Sequence, residues 1–168
     1  MVKPLIKSHG LELHHAKLGD VELLHGNLSK ENLREIRELY EDDPNRLLLD
    51  LLDREMSHVV TADGEVIAMC GVDQSGVMWT MFAKSIRKHW RSFVKASPEL
   101  ILFYHNFYPI LYCNVWSQNT FIHNWLIHLG FFPDVMLEDH NKNITVHFVR
   151  CVEDTISIVS ESSRPVMH

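Results

Sequence analysis

VWSQNTFIHNWLIHLGF, residues 115–131, holds three structural decisions in one short run. Its first residues end an apolar strand, Asn119 or Thr120 supplies a helix N-cap, and Ile122, Trp125, Leu126 and Leu129 recur at helical spacing. Gly130 follows as the left-handed stop of that helix, and Phe131 opens another strand. Strand, capped helix and strand in this order predict a sheet with a helix packed across it.

The bulk composition narrows the class without naming a reaction. With 168 residues the chain is the size of one domain, long enough to remove roughly two thirds of its unfolded surface from water. Hydrophobic residues at 46% and charged residues at 23% exclude a disordered or fibrous chain. A net charge of -6 argues against bulk nucleic-acid binding, which depends on Lys and Arg neutralising phosphates. Cys70, Cys113 and Cys151 lack CxxC spacing and sit in apolar runs, as reduced structural cysteines do. The twelve histidines are scattered. His123 and His128 share the helix but lie about 140° apart around it, so no metal site is assigned. No run of eighteen apolar residues occurs, and no membrane span is expected.

Outward from the opening run, the rest of the chain falls into a regular order. Residues 1–20 carry Pro4, Gly10 and Gly19 and predict an irregular arm; 21–152 form the domain, and 153–168 a polar tail. Alternation over 20–25 predicts a first strand. Ser29 is placed to cap a helix over 30–40 with Leu33, Ile36, Leu39 and Tyr40 on its apolar stripe, and Asp43-Pro44 opens a second helix over 44–54. Strands over 56–61, 65–72 and 77–82 form a meander whose first turn is Ala62-Asp63-Gly64. A helix from Ser85 buries Ile86, Trp90, Phe93 and Val94 and exposes Arg87, Lys88, Arg91 and Lys95, the one concentrated basic face; Ser97-Pro98 should interrupt it. A strand over 110–116, the capped helix, and a hairpin of strands over 131–138 and 144–152 complete the order.

That order resembles the GNAT acyltransferases, and residues 119–131 resemble their terminal signature, with Gly130 and Phe131 eleven and twelve residues after Asn119. The resemblance implies an α/β (α+β) GNAT-like fold, a central mixed sheet of about 6–7 strands flanked by helices. It also implies a slot for the pantetheine arm of coenzyme A between the strands 77–82 and 110–116. The family's phosphate cradle, an Arg or Gln followed by Gly-x-Gly or Gly-x-Ala, is replaced here by Ala83-Lys84-Ser85-Ile86-Arg87-Lys88, without a glycine. Its usual acid, a Tyr seven residues after the Asn, is Leu126 here. Its frequent Glu base on the fourth strand has no counterpart in 77–82; Asp73, Glu65 or a water could stand in, with Tyr112 or His123 as acid.

A narrower resemblance covers about 65 of the 168 residues, 67–131. The Asp73-Gln74 turn, Trp79, the basic run Arg87-Lys88-His89-Trp90-Arg91 and Trp116-x-x-Asn119-Thr120 resemble a small phage family labelled internal virion protein A or internal core protein. It implies a catalytically degenerate GNAT-fold protein of virion assembly, with no catalytic residue and no cofactor. Trp79, Phe82, Tyr112 and Trp116 would fill the slot, and the basic helix would meet a phage or host protein, with nucleic acid as a less favoured partner. Its place would be the host cytoplasm or the virion. The alternative is a working N-acetyltransferase that binds acetyl-coenzyme A through Phe82, Lys84, Ser85, Arg87, Lys88 and Asn119.

Overall fold

The structure is a computed structural model that describes residues 2–40 and 43–152. Five strands form one antiparallel sheet in chain order: β1 (Ile6–Ser8), β2 (Leu11–His15), β3 (Met56–Ala62), β4 (Glu65–Val72) and β5 (Met78–Phe82). β6 (Ile110–Trp116), β7 (Phe132–Glu138) and β8 (Ile144–Cys151) form a second sheet in the order β6-β8-β7. β4 is buried along nearly its whole length, as its unbroken apolar run demands. The described residues form eight strands, because the segment 1–20, expected as an irregular arm, contains the β1-β2 hairpin. Leu11 and Leu13 of β2 are core residues, and the hairpin is registered against β3. Its strands are too short for alternation to stand out between Pro4 and Gly10.

α1 (Leu18–Leu24) occupies the place where a first strand was expected over 20–25. Asp20 accepts the Lys17 amide at 2.8 Å, which caps the helix, and Val21 and Leu24, three apart, are its buried pair. α2 (Lys30–Glu35) starts at Ser29, whose hydroxyl oxygen accepts the Asn32 amide, and continues as a π-helical turn over Ile36–Tyr40. Its buried face is not the expected stripe: Leu33 is exposed, while Ser29, Asn32 and Ile36 are buried. α3 (Pro44–Leu52) begins at the Asp43 cap and buries Leu48 and Leu51.

α4 (Ile86–His105) runs unbroken through Pro98, contrary to the expected interruption. The Ser97 hydroxyl donates to the Phe93 carbonyl, and its oxygen accepts the Trp125 indole N–H at 3.0 Å, so the turn around the proline is tied into the core. α5 (Thr120–His128) is the helix of the opening run, with Asn119 as its cap and Gly130 at φ 87° as its stop. One apolar cluster lies under α4 and α5 and includes Phe82, Phe93, Trp125, Leu126 and Phe148; a second lies under α1, α2 and α3 and includes Leu24, Leu48, Met69 and Met81. The segment 153–168, expected as a tail, lies outside the described residues.

The two sheets touch at one point. The Tyr112 amide donates to the Gly76 carbonyl at 2.9 Å, next to a parallel bridge between Val77 and Tyr112. Gly76 has φ 82°, and a Cβ there would stand 2.7 Å from the Ile110 carbonyl oxygen, so the junction requires glycine. Beyond it β5 and β6 diverge.

Candidate functional site

The divergence of β5 and β6 makes a V-shaped slot, because two parallel strands joined at one end and twisting apart leave their facing backbone edges unpaired. At the wide end, α2 closes over β5. The Phe82 amide donates to Asn32 Oδ1 and the Ser29 amide to the Phe82 carbonyl, both at 2.8 Å. Since these groups of Phe82 point into the slot, the period of two puts the backbone groups of Met78 and Thr80 on the same edge. On β6, the Trp116 amide donates to Glu35 Oε1 at 3.4 Å, which turns Asn114 towards the slot by the same rule.

Two clefts meet in this slot. The first, about 390 Å³, lies between the N-termini of α2, α4 and α5 and is lined by Glu31, Phe82, Arg87, Asn119 and Phe121 among others. The second, about 110 Å³, lies deeper between the strands and is lined by Glu35, Tyr40, Trp79, Thr80, Cys113 and Asn114 among others. Asn32, Asn119 and Ile122 line both, so the clefts adjoin.

Glu35 faces the inner cleft as a half-buried carboxylate. Burial pushes its carboxyl up, opposed by the hydrogen bonds from the Trp116 amide and from Asn119 Nδ2, the latter also 3.4 Å long. Tyr40, five residues on, is pushed up by desolvation and then by the nearby Glu35 and Cys113. Cys113 is pushed up to about 12 by burial and by Glu35. Both therefore stay protonated near neutral pH. The Arg34 guanidinium lies 5.0 Å from the Trp116 ring centre, a cation–π contact.

The six residues expected to bind cofactor divide between two surfaces. Phe82, Arg87 and Asn119 line the outer cleft, whereas Lys84, Ser85 and Lys88 line a separate hollow with Asn27, Gly64 and Glu65. Arg87 Nη2 is 2.7 Å from Glu31 Oε1, an exposed ion pair across the outer cleft. Several amides of the α4 entrance are already committed: Lys84 donates to Asn27 O, Ile86 to Ala83 O and Lys88 to Ser85 O. The Ser85 hydroxyl is enclosed without a hydrogen-bond partner among the described residues. Of the expected cations, Arg87 alone thus lines the outer cleft among the described residues, where bare glycine amides would otherwise stand.

The other expected candidates have structural work. Asp73 Oδ1 accepts the Ser75 and Val77 amides of its own turn, and Glu65 sits at the β3-β4 hairpin. Tyr112 stacks on His147 at 5.3 Å, and His123 Nε2 lies 3.0 Å from the Trp116 carbonyl. Leu126 is fully buried in the core. Among the described residues, no group of three or more His, Cys, Asp or Glu is placed to hold a metal ion. No helix there is long and apolar enough to cross a membrane.

Sequence reasoning missed Glu35 and Tyr40. On a helix with Lys30, Glu31, Arg34 and Arg37 around it, Glu35 has the look of one more solvated charge. A buried polar row, Ser29, Asn32 and then Glu35, is the signal that would have marked this face.

Of the four aromatics expected to fill the slot, Trp79 lines the inner cleft and Phe82 the outer one, Phe82 standing edge-on to Phe93 at 5.3 Å and to Trp125 at 6.2 Å, while Tyr112 stacks on His147 and Trp116 lies under Arg34. No protein-family model matches the chain, and no curated protein matches it in sequence. Solved structures do. One assigned as an acetyltransferase superposes with TM-score 0.72 at 13% identity, over 95% of this chain and 92% of the other. A GNAT-family acetyltransferase from Bacillus anthracis gives 0.66 at 10% identity, over 88% and 98%. A chimera of the Vibrio cholerae spermidine N-acetyltransferase SpeG and hSSAT gives 0.66 at 13% identity, over 88% and 98%. The names of these neighbours are those of acetyltransferases, which overturns the reading as a virion-assembly protein; they lend no support to a virion location or to the absence of a cofactor. The chain has the GNAT acetyltransferase fold.

Proposed function

We propose that the protein is an N-acetyltransferase that uses acetyl-coenzyme A. The observation that carries this is the open slot between β5 and β6, with the half-buried Glu35 carboxylate on its inner wall. Phe82, Arg87 and Asn119 line the cofactor side, while Lys84 and Lys88, in the separate hollow, add positive charge at the α4 entrance. When bound, acetyl-coenzyme A supplies an acetyl thioester. Glu35, its carboxyl raised by desolvation, takes a proton from the acceptor amine. Asn119 and the Trp116 amide hold it in place for that task. Tyr40 and Cys113 are the protonated donors within the same cleft.

The test is thiol release from acetyl-coenzyme A in the presence of amines, with thermal melting beside it. Ligand should raise the melting temperature, and above its Kd the shift should grow with the logarithm of its concentration. Glu35→Gln should lower kcat about 100-fold or more with KM for acetyl-coenzyme A unchanged. Arg87→Ala should raise that KM. No melting shift at millimolar ligand, with no thiol release, would overturn the proposal.

A further inference from the structure

β7 is rich in apolar residues and yet exposed along its whole length. Met136 is 71% exposed and Leu137 56%, with Phe132 and Val135 exposed beside them. It is also an edge strand, since among the described residues it pairs with β8 alone. The Asp139 amide donates to the Asn143 carbonyl at 3.0 Å, so the backbone groups of Asp139 face β8. The period of two then turns those of Leu137 and Val135 towards β8 as well, and those of Met136 and Glu138 outwards.

Proteins usually blunt such an edge with short strands, lysine, proline or a bulge. β1, the outer strand of the larger sheet, is three residues long with Lys7 at its centre. β7 has seven residues, and Pro133 with the register shift before Val135 blunts its start alone. The stretch from Val135 to Glu138 carries neither lysine nor proline.

We propose that a second copy of this chain pairs with β7, edge to edge and antiparallel, about a two-fold axis at Leu137. Met136 of each copy then exchanges both its backbone hydrogen bonds with the partner's Glu138, and the two Leu137 side chains meet directly across the axis. Neighbouring registers are disfavoured. An axis at Met136 sets Asp134 against the partner's Glu138, and an axis at Glu138 sets two glutamates together, so each opposes like charges. An axis at Val135 draws Pro133 and the irregular start of the strand into the ladder. The Leu137 axis avoids all three, and it brings Asp134 alongside the turn that carries His140 and Lys142. One continuous sheet would run from β6 of one copy to β6 of the other.

The full chain is tested by sedimentation velocity from micromolar to submillimolar concentration, over which a dimer should build up. Leu137→Asp sets two carboxylates opposite each other and should weaken the dimer about tenfold or more. Because Leu137 is exposed, the melting temperature of that variant, measured at a concentration where wild type is monomeric, should stay near wild type. Leu137→Cys reads the register. A non-hydrogen-bonded pair holds its Cα atoms about 4.5 Å apart, within disulfide reach, so mild oxidation should link two copies above the wild-type level. Val135→Cys, opposite the partner's Asp139, should not. A monomer at every concentration overturns the inference, as does a dimer that Leu137→Asp leaves intact or one that links through Val135→Cys instead. Slow hydrogen exchange at the Met136 and Glu138 amides of a monomer would put another occupant on this edge, and that too overturns it.

Discussion

Asn119 and Glu35 meet across the slot through one amide used twice. Asn119 Oδ1 accepts the Ile122 N–H and so caps α5, while its Nδ2 donates to Glu35 Oε2 at 3.4 Å. The start of a helix on one side of the slot therefore fixes a carboxylate that belongs to a helix on the other. Two substitutions separate these roles. Asn119→Ala should cost about 1 kcal/mol through loss of the cap and also lower activity. Asn119→Ser keeps a capping oxygen but loses the donor to Glu35, so its stability should stay near wild type while kcat falls. Urea melts with kcat on the same samples decide it; equal losses in both variants would show that the amide contact is idle.

Glu35 should be a residue that the fold tolerates at a cost. Burial raises its carboxyl above the ordinary value, so the folded state holds the proton more tightly than the unfolded chain. Its contribution to stability is therefore fully present below the unfolded pKa and is lost as pH rises through the folded one. Glu35→Gln should melt higher than wild type at pH 8, and the gap should close as pH falls below about 4.5. A variant that is more stable and inactive is the pattern expected where a site carries strain for function.

In the proposed acetyltransferase, Glu31 would compete with ligand for Arg87. Their ion pair is exposed, so its loss should change stability by less than about 1 kcal/mol. Glu31→Gln should leave the melting temperature almost unmoved and tighten binding of acetyl-coenzyme A several-fold by freeing the guanidinium. Weaker binding in that variant would mean that Glu31 positions Arg87 for the ligand.

His58 should set the acid limit of the fold. It is buried, with Nδ1 3.0 Å from the Tyr104 hydroxyl, which in turn donates to Cys70 Sγ. Burial, and then repulsion from His15, lowers its pKa from 6.5 to about 4. The stability tied to it is present above pH 6.5 and drains away as pH falls to about 4, a loss of about 3 kcal/mol. Denaturation midpoints measured across that interval should fall steeply in wild type and much less in His58→Gln. Parallel slopes would assign the acid sensitivity to other groups.

How much of this could be seen in the sequence depends on whether a local pattern or a distant contact made the decision. The meander from Met56 to Phe82 and the capped helix after Asn119 follow from apolar periodicity and turn residues, and the structure keeps both. The segment 20–25 went the other way because six residues with Val21, Leu23 and Leu24 satisfy both periods, and the Asp20 cap settles the matter in three dimensions. Pro98 stays inside α4 because tertiary contacts of Ser97 and Trp125 outweigh a local breaker. The site is harder still. Trp79, Arg87 and Asn119, on which the narrower resemblance rested, line the walls of the two clefts, but none of them carries the carboxylate. Glu35 acquires its meaning when α2 is laid over the gap between β5 and β6.

The π-helical turn over Ile36–Tyr40 gives that gap a form of register control. Residues five apart diverge by about 140° on an α-helix, yet Glu35 and Tyr40 both line the inner cleft, as i to i+5 bonding allows. The pair is thus indexed by one surplus residue. Deleting a single residue between them would wind the segment back to regular α-helix, with the phenol four residues after the carboxylate, about 40° from it and still on the same face. The turn thus absorbs a one-residue change in length without parting the phenol from the carboxylate or altering the strands that frame them.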